Sequence, residues 1–257
     1  MRRARTVRTE AVVLRHKDFG EADRILTLLT PEHGKLHAIA KGVRRPTSRK
    51  AGHLDLYMRA DVFLATGRDL DILTQATTLD AYRPIREGLL RSSYASYCAE
   101  LLERFTPDGE ANAPLYDLMV GALEKIGVED NLPLIARYYE MHLLGLVGFQ
   151  PELGTCVVRG EEIQPEDQFF DAASGGVVCP RCGGDGMGRP ITMPTLKMLR
   201  FLQRSEWAAL ENLRVRATVE SELEQVMLNF ITVNLERQLK SVDFLNRVRR
   251  IKQTNSN

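Results

Sequence analysis

The hydrophobic period of this chain changes once, near Pro84, from two to 3.6, and that change constrains the fold more than any single residue does. Up to Leu79 the pattern is that of strands. Residues 7–14, 25–29 and 35–40 are short apolar or alternating runs, separated by turns at Phe19-Gly20 and Glu32-His33-Gly34. From Leu54 the alternation is strict, with Leu54, Leu56, Met58, Ala60, Val62 and Leu64 on one face and Asp55, Tyr57, Arg59, Asp61, Phe63 and Ala65 on the other, which predicts one long half-buried strand. A turn at 66–69 then leads into a fifth run at 70–75. Five short strands without helical period predict a small closed barrel, and the five-stranded OB-fold is the common oligonucleotide-binding form of such a barrel.

Beyond Pro84, Leu90, Tyr94, Tyr97, Leu101 and Phe105 make one helical stripe and Leu115, Leu118, Ala122 and Ile126 a second, while 132–147 is apolar on most sides. Residues 151–193 lack helical period, are rich in Gly and Pro, and hold three of the four cysteines. Helices are expected again at 194–204 and 218–240. The expected class is therefore α+β: a barrel over 1–80, a helical domain over 81–150 and 194–246, a cysteine-bearing insertion over 151–193, and a basic polar tail over 247–257.

Charge is distributed unevenly along the 257 residues. Residues 1–50 carry 13 Lys/Arg against five acids, a balance of +8, whereas the remainder is at −7. A basic module on a mildly acidic body is the footprint of polyanion binding, although a locally basic solvated surface gives the same count. No apolar run reaches membrane-spanning length, and Arg2, Arg3, Arg5 and Arg8 run into a strand pattern with no signal-peptide core, so the expected location is the cytosol, with no membrane partner.

The loop from Lys41 to Lys50 brings Lys41, Arg44, Arg45, Arg49 and Lys50 together with no acid. Such a loop suits phosphates, with salt-sensitive and largely sequence-independent binding. Arg15, Lys17 and Arg24 flank the first turn and extend the candidate track. Stacking partners are few, since only Phe19, Tyr57 and Phe63 are aromatic before residue 80, and Tyr57 and Phe63 are expected to be covered by helices. Electrostatics should outweigh stacking.

Cys156 opens a C-x-x-R-G run, and Cys179 and Cys182 form a CxxC about twenty residues later. Paired CxxC knuckles hold structural zinc, but Arg159 stands where the fourth thiolate belongs, and a guanidinium cannot coordinate a metal. Three thiolates with an outside ligand, or a degenerate knuckle held by packing, are the competing readings. Cys98 and His142 fall on apolar helical segments and read as core residues. The glycine run 183–188 lacks a strand-to-helix frame and reads as a turn, and Asp69 and Asp71 read as an exposed strand end. With no phosphate-binding loop, zinc-protease or nucleophile-elbow motif, no catalytic residue or small-molecule substrate is expected.

Taken in order, several runs resemble the bacterial RecO family of DNA repair proteins. They are Glu10-Ala-Val-Val-Leu14, Gly20-Glu-Ala-Asp-Arg24, Thr30 with Gly34-Lys35, and Ala40-Lys-Gly-Val-Arg44-Arg-Pro46 with Ser48. Further on come Tyr94-Ala-Ser-Tyr97, Leu143-Leu-Gly-Leu-Val-Gly148 with Pro151 and Leu153, Cys156-Val-Val with Gly160, and Gly175-Gly-Val-Val-Cys179-Pro with Cys182. The resemblance implies an OB-fold, a helical domain and a zinc-finger-like insertion. It further implies a recombination mediator that binds single- and double-stranded DNA, anneals strands, works with RecR, contacts the single-strand-binding protein SSB and thereby assists RecA loading. On the matching positions, Lys35, Lys41, Arg44, Arg45 and Arg49 are the candidate DNA contacts, followed by Arg15, Lys17 and Arg24. Cys156, Cys179 and Cys182 are the candidate ligands of one structural Zn. A nucleic-acid-associated adaptor, whose helical body binds protein partners, is the alternative reading.

Overall fold

The first third of the chain closes on itself because its alternating residues have only one another to bury against. In the computed structural model, which describes residues 6–183, 186–235 and 239–254, the strands are β1 (Thr6–Phe19), β2 (Asp23–Thr30), β3 (Gly34–Ala40), β4 (Arg59–Ala65) and β5 (Asp71–Asp80). They form a closed barrel in the order β1-β2-β3-β5-β4, β1 pairing with both β2 and β4. Every pairing is antiparallel except β3 with β5. This is the OB arrangement expected from the sequence. Ala11, Val13, Leu26, Leu28, Leu36, Ala38, Ala60, Val62, Leu64 and Leu73 fill the interior, with Val43 and Leu54 contributed by the β3–β4 connection. Burying each of the larger aliphatic side chains stabilises the barrel by roughly 1.5–3 kcal/mol.

The long strand expected from Leu54 is shorter than the alternation implied. β4 begins only at Arg59, preceded by a short 3-10 turn, Ala51–His53. Tyr57 has φ 66°, a left-handed conformation that no strand accommodates. Its amide donates to the Val13 carbonyl (2.8 Å), and its buried hydroxyl bonds Ser96. Tyr57 is thus covered, as expected, while Leu54 seals the barrel interior from a loop rather than a strand. Gly34 answers a different demand. It has φ 62° at the β2–β3 turn, and a Cβ there would lie 1.9 Å from the Glu110 carbonyl oxygen.

Eight helices lie among the described residues: α1 (Arg83–Glu87), α2 (Leu89–Phe105), α3 (Ala113–Val128), α4 (Leu132–Leu146), α5 (Pro180–Gly183), α6 (Met193–Arg204), α7 (Ala217–Leu235) and α8 (Lys240–Thr254). Asn112 and Asn131 cap α3 and α4 by accepting from the Leu115 and Leu134 amides, and proline occupies the first turn of each. The chain divides into two compact units, Met1–Glu129 with Ser241–Asn257, and Asp130–Lys240.

In the first unit, α2 and α3 pack against β1 and β2. The Tyr116 hydroxyl of α3 and Arg59 Nε both donate to Glu10 Oε2 at 3.1 Å, and burial raises the Tyr116 hydroxyl well above the usual phenol range. Residues 247–254, expected as tail, are the last turns of α8. Leu245 and Val248 are buried, the Ser241 amide donates to Glu100 (2.7 Å), and the Arg249 guanidinium bonds the Tyr94 hydroxyl and lies over its ring. The cations of this segment mask an amphipathic helix whose apolar residues are few.

In the second unit, α4 packs against α6 and α7. The cysteine-bearing segment is built on a three-stranded sheet, β7-β6-β8, of β6 (Gln168–Asp171), β7 (Gly176–Val178) and β8 (Arg189–Ile191). Phe170 of β6 meets Phe230 of α7 edge to face at 5.5 Å. His142 is a helix-packing residue, as expected: its Nε2 bonds the Leu202 carbonyl (3.0 Å), and its ring stacks on Tyr138, which in turn contacts Trp207. Cys98 is buried in α2. Arg2, Arg3 and Arg5 of the basic N-terminus, Gly184 and Asp185 of the glycine run, and residues 236–238 lie outside the described residues.

Candidate nucleic-acid interface and metal centre

Strict alternation along β1 from Ala11 and Val13, which point into the barrel, would send Arg15 and Lys17 inward as well. A bulge between Val13 and Arg15 reverses the phase. Arg15 then pairs with Thr27 and Lys17 with Ile25, while His16 and Asp18 take the inner positions opposite Leu26 and Arg24. Since directly paired residues share a face, two rows cross the outside of the barrel: Arg15-Thr27-His37 and Lys17-Ile25-Ile39-Ile72. At the end of β1, Phe19 is 51% exposed. An apolar strip edged by cations, with an aromatic ring at the hairpin tip, offers both phosphate attraction and a stacking surface.

The basic loop is docked against this hairpin. The Gly42 amide donates to Asp23 Oδ1 (2.7 Å) and the Arg44 amide to the Ala22 carbonyl (2.9 Å). Within the loop, Arg45 N–H bonds the Gly42 carbonyl and Ser48 N–H the Arg45 carbonyl, so it turns back on itself in an ordered path. Among the described residues, Arg15, Lys17, Lys41, Arg45 and Arg49 are exposed and meet no acidic or hydrogen-bonding side chain. These five cations are available to a polyanion. Arg68, exposed on the β4–β5 loop, is a sixth that the sequence reading did not single out. The loop-facing position of OB-folds that bind nucleic acid was its available signal.

Three candidate positions are otherwise employed. Lys35 is buried, and its ammonium donates to the carbonyls of Glu103 (2.9 Å) and Thr106 (2.8 Å) at the C-terminal end of α2, with Asp108 at 3.2 Å. It neutralises a helix C-terminus rather than facing solvent. Arg24 lies on the inner phase of β2, paired with Asp18 (2.9 Å) and Asp55 (3.8 Å). Arg44 is held by Asp18 (3.3 Å), although it remains partly exposed. The Arg24 hydrogen bond, seconded by the charge of Arg44, holds the Asp18 carboxyl below the usual range. Lys50 likewise turns inward, donating to the Leu73 carbonyl (3.1 Å), and burial lowers its pKa. Sequence could not separate these residues from the available ones, because Lys35, Arg44 and Lys50 are claimed by partners distant in the chain and Arg24 by a neighbour that only the β1–β2 register sets opposite it.

The three cysteines of the second unit converge as the spacing indicated. The Sγ atoms of Cys156, Cys179 and Cys182 all lie within 4.8 Å of one another. Cys156 starts a tight turn in which Gly160 N–H bonds its carbonyl (2.7 Å), closed by a left-handed Gly160 at φ 71°. The second turn bonds the Cys182 and Gly183 amides to the Cys179 carbonyl. Burial would raise the Cys156 thiol, but backbone amides of Cys179, Arg159 and Val158 directed at its sulfur outweigh that and bring it down to about 7. Burial, followed by the neighbouring thiols, pushes Cys182 up to about 11. Three soft sulfur donors within reach of a single ion, with amide donors to one of them, fit a thiophilic metal. Arg159 contributes no donor. Its guanidinium is bound to Glu161 at 2.9 Å.

These features define a class: an OB-fold barrel bearing a cationic outer face, continued by helices and by a cysteine knuckle on a small sheet. Comparison with known families and proteins agrees along nearly the full length. The chain matches the family described as Recombination protein O N terminal over residues 1–82 and the one described as Recombination protein O C terminal over 86–243. It is 35% identical to the DNA repair protein RecO of Dehalococcoides mccartyi, covering 94% of this chain and 96% of that protein. Its identity with the RecO of Roseiflexus sp. is 35% over 99% and 90% of the two chains, and with that of Pelotomaculum thermopropionicum 36% over 93% of each. The chain belongs to the RecO family.

Proposed function

We propose that this chain is a non-enzymatic, cytoplasmic DNA-binding protein of recombinational repair. In this reading the outer face of the barrel holds single- and double-stranded DNA, and the protein promotes annealing and, together with RecR, the loading of RecA on SSB-coated DNA. The observation that carries the reading is the set of five available cations, Arg15, Lys17, Lys41, Arg45 and Arg49, on the β1 hairpin and the loop docked against it. Their positive field attracts the phosphate backbone whatever the sequence, while Phe19 and the Ile25-Ile39-Ile72 row supply an apolar surface for bases. Cys156, Cys179 and Cys182 are the ligands for one structural zinc ion, which would brace the knuckle without taking part in DNA contact.

Binding of the full chain to labelled oligonucleotides across a salt series tests this. Replacement of Lys41, Arg45 and Arg49 by Ala should weaken single-strand binding and reduce the slope of log affinity against log salt by about 2, since each phosphate contact on a single strand contributes roughly 0.7. An unchanged slope and affinity would move the site off this face.

A further inference from the structure

Asp18 holds two arginines that come from different elements, and it holds them as a phosphate would. Arg24 Nε of β2 bonds its Oδ1 at 2.9 Å, and Arg44 Nε of the basic loop reaches its Oδ2 at 3.3 Å, so each oxygen takes one guanidinium. Guanidinium forks on the oxygens of one anion are also how arginines grip a phosphodiester. Both arginines have other supports. Asp55, itself anchored by Arg86 at 3.2 Å, takes another nitrogen of Arg24 at 3.8 Å, and the Arg44 amide is held by the Ala22 carbonyl at 2.9 Å. Asp18 is not buried: half of its side chain faces solvent, and the Arg44 side chain is 37% exposed. Ion pairs at such exposure contribute little and exchange readily. Available cations adjoin on both sides, because Lys17 directly precedes Asp18 in β1 and Lys41 directly follows Ala40, the β3 partner of Arg24.

We propose that Arg24 and Arg44 form a seat for one backbone phosphate of a nucleic-acid strand, filled in the free protein by the Asp18 carboxylate, which the strand displaces. Asp18 is thus a positioning residue: it keeps two guanidinium groups aligned and makes the strand compete for them. An isolated anion gains only the exchange of one anion for another. A strand brings neighbouring phosphates to Lys17 and Lys41 at the same time, and that added attraction favours displacement. The ligand class is therefore a phosphodiester chain rather than a small phosphate. The inference rests on the DNA-binding reading of this face and adds the face's internal competitor.

Fluorescence anisotropy of the full chain with a labelled single-stranded oligonucleotide tests it. Asp18→Asn should bind roughly three- to tenfold more tightly than the wild type, the change expected on removing a competitor that holds two surface ion pairs. Arg44→Ala should bind more weakly, with a salt slope lower by roughly 0.7. Beside Arg44→Ala, the gain from Asp18→Asn should fall to roughly its square root, since one of the two pairs is already gone. Glu21→Gln removes an exposed carboxylate of the same turn but not of the seat, and should leave the affinity within roughly twofold. Asp18→Asn binding no tighter than the wild type, a gain matched by Glu21→Gln, or a gain undiminished beside Arg44→Ala would overturn the proposal. If Lys41, Arg45 and Arg49 are still needed for binding in that case, only the seat falls; absence of wild-type binding strikes the whole face. Should circular dichroism show Asp18→Asn unfolded, Arg44→Ala decides alone, and unchanged affinity and slope refute the seat.

Discussion

Lys35 offers the sharpest separation between a cation that serves the fold and one that serves DNA. Lys35→Met keeps most of the aliphatic stem and removes the ammonium. Two charge-assisted hydrogen bonds are lost, to the Glu103 carbonyl at 2.9 Å and the Thr106 carbonyl at 2.8 Å, together with an ion pair to Asp108 at 3.2 Å. The Lys35 side chain is only 10% exposed, so the bonds to the two carbonyls are poorly replaced by water, whereas Asp108 is 56% exposed and its share is small. With hydrogen bonds to a charged group worth about 1.5–3 kcal/mol each, and with partial recovery as water reaches the end of α2, the expected loss is roughly 3 kcal/mol. For a chain of this size that corresponds to a fall in Tm of about 6–12 °C. Urea or thermal unfolding measures the first quantity, and fluorescence anisotropy with a labelled oligonucleotide, at a temperature where the variant is folded, measures the second. The variant should bind DNA like the wild type. Weakened DNA binding with unaltered stability would show that Lys35 faces the ligand and that its seat at the end of α2 is wrong.

Gly34→Ala should be still more disruptive, because the substitution combines a left-handed φ with a Cβ placed 1.9 Å from a backbone oxygen; several kcal/mol and poor recovery of folded protein are expected, read by circular dichroism melting. Acid should weaken the second unit through His142. Burial lowers its pKa, so the unfolded chain takes up the proton first, and stability present above pH about 6.5 declines as the pH falls. Trp207, the single tryptophan, contacts Tyr138 beside His142, so its fluorescence in urea titrations at pH 7.5 and 5.5 reports the loss, which His142→Gln should reduce. His16 is shifted in the same direction by burial and by Arg24, so a residual pH dependence in that variant is expected. Phe19→Ala should cost about 1–3 kcal/mol of single-strand affinity without altering the salt slope, since a stacking ring releases no counterion; an effect confined to the slope would contradict its assignment.

The strands and helices were legible because each buries one face. The period-two runs around Leu26, Leu36 and Val62, and the helical stripe of Tyr94, Tyr97 and Leu101, can satisfy their apolar side chains in only one local geometry. The cysteine cluster was legible too, since short turns return residues three apart to one side, and the substitution at Arg159 was visible in the same spacing. The helix through residues 247–254 was not, because Arg247, Arg249, Arg250 and Lys252 outnumber the apolar residues that seat it. The alternation at 54–58 misled for the opposite reason. Leu54 and Met58 are indeed buried, but by a loop that turns through a left-handed Tyr57.

What the sequence determined by itself was the class of the molecule and the location of its charge: a basic barrel, helices after Pro84, and three thiols with a cation where the fourth would stand. Which of those charges are available was decided only by the tertiary structure. One bulged residue in β1 turns Arg15 and Lys17 to the outer face and sets Asp18 opposite Arg24, and Asp18 then occupies Arg24 and Arg44, while the end of α2, some seventy positions along the chain, claims Lys35. The physical reason is that a cation's availability depends on the acids and carbonyls folded against it. Those partners are set by register and packing, which local periodicity does not encode.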